Sequence, residues 1–563
     1  MKKKVLKWVS LLLLLFLAAC SQSGKQNTVS FKNEVTQTIA SGKVKGNQDK
    51  DNGVLEWLGI PYAQAPVGEL RWKEPQAIKA WDDTFDATKA GEKFTQLSNG
   101  EVVGSEGALN LDVVRPDSTE TKLPVVVFLH GGNNQTGHAQ EIKGNTFAKD
   151  LNAVYVSVNY RLGVLGFNPL AALKTGTDLE NSGNYTLLDI AAALDWVQEN
   201  IEVFGGDKDN VTLTGFSAGG RDVMATLISP LFEGKYHKAI SYSGGMTLAD
   251  EADSQDIVAT ALAPLVVEDG VKATEAEAKS WLLTSGQDVK DYLYSLSAER
   301  LAPLMGNASI RMSVFPHLFK DGKVIPKEGF ESKKYNDVPL MLVTGTNEFS
   351  LFAAFDNRFA AGVSDGSLFK DQEKMKEFTY AKTYGSALYR LSNTLDSARL
   401  MGENYKSPIY ISEIHYGDDA KVTPTTAAFL GAFHGVFEPL LQKPSNYAAF
   451  IGEDFETDGA KELSADFKAY LKNFLAKGNP NGEELPQWDA WTASGEQVLS
   501  MDANAKEALI TMTSDKETAA DIISQMESDT SLSADLKKEL NETVLNGRWF
   551  SGPLDQYHFD YSK

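Results

Sequence analysis

The chain has 563 residues, of which 42% are hydrophobic and 23% are charged, and its formal net charge is −22. The composition is that of a globular protein with a large buried core. A surface this acidic repels phosphate backbones and anionic lipids, which argues against nucleic acid as a partner and against membrane binding through a basic patch.

The N-terminus has the layout of an export signal followed by a lipid attachment site. Residues 2–4 are lysines, residues 5–16 are mostly apolar, and Cys20 follows a Leu-Ala-Ala triplet. The apolar run is shorter than the roughly 20 residues that span a bilayer, and Leu-Ala-Ala-Cys resembles a bacterial lipobox. We predict a signal peptide over residues 1–19, a lipid on Cys20 and a polar tether over residues 20–30.

This interpretation places the protein outside the cytoplasm, held to the bacterial cell membrane only by its lipid. The alternative is an ordinary secretory signal with a chance cysteine. Cys20 is the only cysteine in the chain, which favours the lipobox. A single cysteine also excludes a disulfide within the chain and a cysteine-based metal site.

Runs of β-branched residues without alternation predict strands that are buried on both faces, as in a parallel sheet. They alternate with segments of helical periodicity, such as residues 187–197. This alternation predicts an α/β fold with a mostly parallel central sheet and helices on both faces. The predicted strands cover residues 123–130, 154–159, 211–214, 238–243, 339–343 and 408–412.

Two further segments interrupt or follow this pattern. Residues 246–338 are rich in Ala, Leu, Glu and Lys at helical spacing, and we expect a helical insertion there, over the active site. The insertion belongs to a predicted catalytic domain of residues 31–515. Residues 516–563 begin acidic and helical and end aromatic, so we expect a C-terminal helix and an arm packed on the body.

The sharpest local signal is the Gly-Phe-Ser-Ala-Gly sequence at residues 215–219, between a predicted strand and a predicted helix. In this context G-x-S-x-G predicts a nucleophile elbow, a tight turn whose small flanking residues let the serine project. A lone G-x-S-x-G also occurs by chance, and it is the strand and helix on either side that favour the elbow. Ser217 is therefore the candidate nucleophile.

A serine hydroxyl needs an oxyanion hole and a base to react at neutral pH. Gly131, Gly132 and Asn133 follow the strand predicted at residues 123–130. Backbone amides of this loop, together with the amide of Ala218 after the nucleophile, form the predicted oxyanion hole. A simple tight turn is the alternative interpretation of the glycine pair.

If the fold is that of an α/β-hydrolase, the base is a histidine that follows the acid in chain order. Seven histidines are present. Chain order alone leaves both His434 and His558 open. Taken by itself, His434 among glycine and phenylalanine neighbours is typical of a packed core residue.

Several segments, in the same order throughout residues 30–505, resemble the type-B carboxylesterase and cholinesterase family. The matching segments are Trp-Leu-Gly-Ile-Pro-Tyr-Ala at 57–63, Ser-Glu-Gly-Ala-Leu-Asn-Leu-Asp-Val at 105–113, the oxyanion loop, Asn-Tyr-Arg-Leu-Gly at 159–163, Phe-Gly-Gly-Asp at 204–207, the elbow, Ala-Phe-His-Gly at 432–435 and Gly-Asn-Pro at 478–480.

The resemblance implies an α/β-hydrolase fold and a Ser–Glu–His triad. It places the base at His434 and the acid after a strand that follows the insertion, where Glu348 fits. The glutamate would hold the imidazole tautomer and stabilise the imidazolium. The implied reaction is hydrolysis of uncharged, small-molecule carboxylic esters through an acyl-enzyme, without a metal or cofactor.

The sequence departs from the family pattern at three positions that bear on the site. Phe216 stands where an acid is usual, which argues against cationic choline esters as substrates. Asn133 replaces a third oxyanion glycine, and asparagine tolerates positive φ better than most residues. Phe349 replaces the glycine that usually follows the acid.

The competing hypothesis is a catalytically silent, cholinesterase-like binding or adhesion lipoprotein. A silent relative would have lost part of the machinery, whereas this chain retains the nucleophile, the base and the oxyanion glycines. The enzyme is therefore the favoured interpretation. The sequence leaves the natural substrate and the oligomeric state open.

Overall fold

The computed structural model describes residues 31–306 and 308–554. The predicted signal peptide, Cys20, the tether and His558 lie outside these residues. The strands are β1 (Thr36–Ile39), β2 (Gly42–Lys45), β3 (Asn47–Asp49), β4 (Val54–Pro61), β5 (Phe85–Asp86), β6 (Gln96–Ser98), β7 (Glu101–Val103), β8 (Asn110–Pro116), β9 (Leu123–Leu129), β10 (Val154–Val158), β11 (Gly206–Phe216), β12 (Lys238–Tyr242), β13 (Leu340–Gly345), β14 (Ile409–Ile414), β15 (Gln497–Ala503) and β16 (Ala508–Ser514).

The α-helices are α1 (Ala148–Leu151), α2 (Gly163–Gly166), α3 (Tyr185–Asn200), α4 (Ala218–Thr226), α5 (Glu251–Glu268), α6 (Glu275–Leu282), α7 (Gln287–Ser295), α8 (Ala298–Leu301), α9 (Ser350–Phe355), α10 (Ala360–Ser364), α11 (Gln372–Asn393), α12 (Leu395–Met401), α13 (Pro424–Ala427), α14 (Glu438–Leu441), α15 (Ala448–Ile451), α16 (Asp458–Lys477), α17 (Ala519–Ser528) and α18 (Ala534–Leu540). Within the described residues, none of these helices combines the length and the apolar character needed to cross a membrane.

An 11-stranded sheet forms the centre of the molecule, in the order β16-β15-β14-β13-β12-β11-β9-β10-β8-β4-β3. The run from β15 to β10 is parallel throughout, and antiparallel pairs occur at the two ends. The six predicted strands correspond to β9 through β14. The predicted α/β architecture with a mostly parallel sheet is confirmed.

Successive residues of the central strands enter two separate cores, one on each face of the sheet. In β9, Val125 and Val127 belong to the first core, which also contains residues of α3. Val126 and Phe128 of the same strand belong to the second core, which contains residues of α16. A strand with apolar cores on both faces has no polar side, which explains why its sequence does not alternate.

Two segments flank this body. Helices α5 to α8 occupy the chain between β12 and β13, in the segment predicted as a helical insertion. Helices α17 and α18 follow the last strand, and the Tyr384 hydroxyl of α11 donates to Asp529 Oδ2 at 2.8 Å, directly after α17. The chain then continues to the buried residues Trp549 and Phe550.

A buried ion pair fixes the segment after β10 to helix α3. The Arg161 guanidinium donates to both carboxylate oxygens of Asp189, at 2.7 and 2.8 Å. The exposed fractions of the two side chains are 2% and 0%. Loss of one partner leaves a buried charge without compensation, which costs far more than loss of an exposed pair.

We expect Asp189→Asn to lower the free energy of unfolding by about 3–5 kcal/mol. The control is Asp256→Asn, because Asp256 pairs with Lys279 at 2.7 Å on the surface and its loss should cost about 1 kcal/mol or less. Chemical denaturation monitored by tryptophan fluorescence provides the measurement. Equal losses in the two variants would contradict the structural role of the buried pair.

Candidate active site

Ser217 occupies a sharp turn between the end of β11 and the start of α4. Its backbone has φ 56° and ψ −115°, a strained conformation for a residue with a side chain. The flanking glycines are required by close contacts: a Cβ at Gly215 would lie 2.2 Å from Gly219 O, and a Cβ at Gly219 would lie 2.2 Å from Leu129 O. The predicted strand–turn–helix context of Ser217 is therefore present.

Glu348 and His434 are in direct contact. Glu348 follows β13 and is fully buried, and its Oε2 lies 2.5 Å from His434 Nδ1. Its Oε1 accepts hydrogen bonds from Ser243 Oγ at 2.6 Å, Thr344 Oγ1 at 2.9 Å and the Gly345 amide at 2.7 Å. A carboxylate only accepts hydrogen bonds, so Nδ1 of His434 carries the proton and Nε2 of the neutral ring is free to accept one.

The free nitrogen of His434 lies in an aromatic cage beside Ser217. Nε2 is buried and has no hydrogen-bond partner within the described residues. The rings of Phe216, Phe352 and Tyr389 lie 4.8, 5.0 and 5.5 Å from the imidazole, measured between centroids. Phe216 directly precedes Ser217, so the turn at Ser217 and His434 are adjacent. Contacts between a nucleophile and its base commonly tighten only when substrate binds.

The loop after β9 lies against Ser217. A Cβ on Gly131 would lie 3.3 Å from Ser217 Cβ, whereas a Cβ on Gly132 would lie only 2.3 Å from Thr136 O. Gly132 and Asn133 have φ values of +96° and +54°. The loop therefore has positive φ values at these two positions, a backbone conformation that glycine and asparagine adopt more readily than other residues.

The predicted oxyanion amides are not equally available. The Gly131 amide donates to Glu141 Oε2 at 2.9 Å, so a carboxylate already occupies it. The amides of Gly132, Asn133 and Ala218 donate to no acceptor in the described part of the chain. Three of the four predicted groups remain free for a substrate oxygen, while Gly131 contributes close packing.

Two titratable residues of helix α4, Arg221 and Asp222, hold this loop in place, and sequence reasoning missed both. Arg221 Nη2 donates to Asn133 Oδ1 at 2.8 Å, and Asn134 Nδ2 donates to Asp222 Oδ1 at 2.8 Å. Both helix residues are buried, and burial lowers the pKa of Arg221 and raises that of Asp222 to about 7. A signal was present in the sequence, because adjacent charges follow the elbow where a buried helix is expected.

His130, the other histidine beside the oxyanion loop, supports the structure of that loop. His130 stacks on Tyr160 with 4.3 Å between ring centroids, and its Nδ1 lies 2.9 Å from Gly131 O. Burial lowers the pKa of His130 to about 3, which keeps the ring neutral. Across residues 31–306 and 308–554, no group of three or more His, Cys, Asp or Glu side chains is arranged to hold a metal ion.

Aromatic residues from the C-terminal region also reach the site. Tyr389 of α11 stacks on Phe550 with 4.5 Å between centroids and meets Trp549 edge-on at 5.0 Å. The arm predicted to pack on the body thus places two rings beside the neighbours of His434. The local sequence of the arm gives no indication of this destination.

Comparisons with known proteins agree with the geometry. The sequence profile of the carboxylesterase family matches residues 32–394 and 368–521. Para-nitrobenzyl esterase of Bacillus subtilis (strain 168) is 29% identical over 492 residues, which cover 83% of this chain and 94% of that protein. Carboxylesterase 1D of Rattus norvegicus is 30% identical over 538 residues, which cover 84% of this chain and 90% of that protein.

The fold comparison gives the same result. The solved structure of a PNB esterase superposes with a TM-score of 0.68 at 27% sequence identity, covering 88% of this chain and 99% of its own. The architecture is therefore the α/β-hydrolase fold, as predicted.

Asp222 accepts a hydrogen bond from Asn134 of the oxyanion loop, and its raised pKa makes the stability of the folded protein depend on pH. The folded protein keeps a proton on Asp222 up to about pH 7, whereas the unfolded chain loses it near pH 4. This group therefore destabilises the folded state progressively as pH rises through that window. Asp222→Asn removes the titration but keeps an acceptor for Asn134. We expect the variant to gain about 2–3 kcal/mol over the wild type between about pH 5 and pH 8.

Chemical denaturation of both proteins at the two pH values provides the measurement. Asp256→Asn, a substitution of an exposed aspartate, is the control and should show no such gain. A difference between Asp222→Asn and wild type that does not change with pH would contradict the buried, protonated state of Asp222.

Proposed function

We propose, since the chain belongs to the carboxylesterase family, that Ser217, His434 and Glu348 form the triad through which it hydrolyses carboxylic esters. That the protein is a serine carboxylesterase follows from the profile match and from relatives that are themselves carboxylesterases. These relatives do not favour the silent binding protein. The observation that carries the triad is the 2.5 Å contact of Glu348 with His434 Nδ1, which leaves the Nε2 lone pair free.

The first half of the reaction forms an acyl-enzyme. Ser217 Oγ attacks the acyl carbonyl carbon while His434 Nε2 accepts the hydroxyl proton. Glu348 remains ionised and stabilises the imidazolium through Nδ1. The carbonyl oxygen becomes an oxyanion that accepts hydrogen bonds from the amides of Gly132, Asn133 and Ala218.

The second half releases the acid. His434 donates its proton to the leaving alkoxide, and the alcohol departs from the acyl-enzyme. Water then attacks the acyl carbon, with His434 Nε2 accepting its proton, and the collapse of the second oxyanion regenerates Ser217. Because the fold fixes these amide dipoles before the reaction, they stabilise each oxyanion without the reorganisation that water would need.

The substrates are proposed to be uncharged, small-molecule esters. The rings that line the base belong to Phe216, Phe352 and Tyr389, and none of these side chains is a carboxylate. The buried carboxylate that contacts the base, Glu348, is saturated by four contacts. Among the described residues that surround the base, a cationic alcohol group would therefore find no free carboxylate to replace its hydration.

We expect Ser217→Ala to lower kcat for p-nitrophenyl ester hydrolysis by about three or more powers of ten, because a triad cannot act without its nucleophile. Glu348→Gln should lower kcat strongly with a smaller change in KM, since it leaves the imidazole tautomer and the imidazolium unsupported. The measurement uses residues 21–563 and esters from acetate to dodecanoate.

The matched control is Ser157→Ala, which removes a buried hydroxyl from β10 that has no hydrogen-bond partner in the described chain. It should retain wild-type kcat. Ester hydrolysis that survives Ser217→Ala at the wild-type rate would exclude this serine as the nucleophile.

The proposed location is the outer face of a bacterial cell membrane, with Cys20 as the lipidated residue. The support is the lipobox-like sequence and the polar stretch that separates it from the body. Phe31, the first residue that the structure describes, has its ring centroid 3.8 Å from the Arg115 guanidinium carbon. Residues 20–30 would then serve as the tether.

We expect the full chain, produced in a bacterial host, to fractionate with membranes and to incorporate a labelled fatty acid. Cys20→Ser should abolish the labelling, because no thiol remains to be acylated. A mild detergent wash and Western blotting provide the measurement, with Ser21→Ala as the control. Equal labelling of the Cys20→Ser variant would contradict lipid attachment at this residue.

A further inference from the structure

The C-terminal segment (residues 541–554) lies beyond the part of the chain that matches the family. The profile match ends at residue 521. The segment is nevertheless buried against the candidate active site. The exposed fractions of Trp549 and Phe550 are 7% and 2%. We propose that this segment forms one wall of the substrate cleft and that Trp549 limits the size of the ester that reaches Ser217. This inference rests on the proposed function.

The first support is the contact between the segment and the base. Trp549 and Phe550 lie against Tyr389 at 5.0 and 4.5 Å, and Tyr389 stacks on His434 at 5.5 Å. The Tyr389 hydroxyl is buried and forms no hydrogen bond within the described residues. Trp549 is therefore separated from the imidazole of His434 by one ring, that of Tyr389.

The second support for the proposal is the packing on the other side of the Trp549 indole. The Arg221 guanidinium carbon lies 5.3 Å from the Trp549 ring centroid, and Arg221 holds Asn133 of the oxyanion loop. A Cβ at Gly245, just after β12, would lie 2.7 Å from Trp549 Cη2. The indole thus fills space between the nucleophile helix and Tyr389, and any ester group directed there must displace or avoid it.

The third support is the anchoring of the segment. Arg548 Nη2 donates to Asp356 Oδ2 at 2.6 Å in a buried ion pair, and Arg548 Nε donates to Val544 O at 2.9 Å. The Trp549 amide donates to Ile310 O at 2.9 Å. The bonds to Asp356 and Ile310 fix the backbone at Trp549 and at the residue before it, to the end of α9 and to the chain before β13. A ring held in this way acts as a size limit instead of yielding to each substrate.

The consequence concerns specificity and not the chemical step. The triad and the oxyanion amides come from the part of the chain that matches the family, whereas the wall comes from a segment outside that match. The substrate range of relatives therefore does not transfer to this protein. Esters with slim acyl and alcohol groups should be preferred, and removal of the indole should admit larger ones.

The test measures kcat/KM for two ester series in the wild type, Trp549→Phe, Trp549→Leu and Trp549→Ala. One series varies the acyl chain of p-nitrophenyl esters from acetate to dodecanoate, and the other varies the alcohol of acetate esters. In one series the ratio of large to small substrate should rise on the order of tenfold or more in Trp549→Ala. Trp549→Phe should lie between that variant and wild type.

The matched control is Trp81→Ala, since Trp81 packs on Phe85 in the peripheral sheet of β1, β2 and β5. Its ratios should equal those of wild type. Ratios within about twofold of wild type in both series, for every folded Trp549 variant, would overturn the proposal. That result is distinct from failure of the triad, which would appear as ester hydrolysis that Ser217→Ala does not reduce.

Discussion

The parallel order of four neighbouring strands is the constraint on which the candidate site depends. Strands β13, β12, β11 and β9 are adjacent and point the same way. Their carboxyl ends therefore meet at one edge of the sheet, where ligands of open α/β sheets bind. The oxyanion loop follows β9, Ser217 follows β11, Ser243 follows β12 and Glu348 follows β13. Only His434 comes from a longer connection, and its bond to Glu348 fixes it at the same edge.

Features that depend on local sequence could be predicted, and features that depend on distant contacts could not. The strands were predictable because burial on both faces requires unbroken apolar runs, and the elbow because a tight turn requires glycines around Ser217. The Glu348–His434 contact joins residues 86 positions apart. No local pattern indicates such a pair, so only the family resemblance identified these two residues.

The same reasoning explains which contacts of the oxyanion loop could not be predicted from the sequence. The Gly131 amide is occupied by Glu141, and which amide of a loop is already bonded depends on side chains that fold back onto it. Arg221 and Asp222 were visible as charges, but their partners Asn133 and Asn134 lie 88 positions earlier. These two bonds explain how asparagines serve in a loop where glycines are usual, because a side chain that accepts or donates a bond holds a strained backbone in place.

The site therefore combines two parts that are held by different interactions. The proposed reacting groups are fixed by the sheet edge and by buried hydrogen bonds to Glu348, none of which involves the C-terminal segment. The segment that carries Trp549 is fixed by Arg548, Asp356 and Ile310, none of which contacts the triad through a hydrogen bond. The two sets share no hydrogen bond, and the segment meets the base through ring contacts with Tyr389. A ring contact constrains geometry less strictly than a buried hydrogen bond, so a change at Trp549 should alter which ester fits more than it alters the Glu348–His434 pair. An enzyme built in this way could change its substrates through residues 541–554 while its chemistry stays the same.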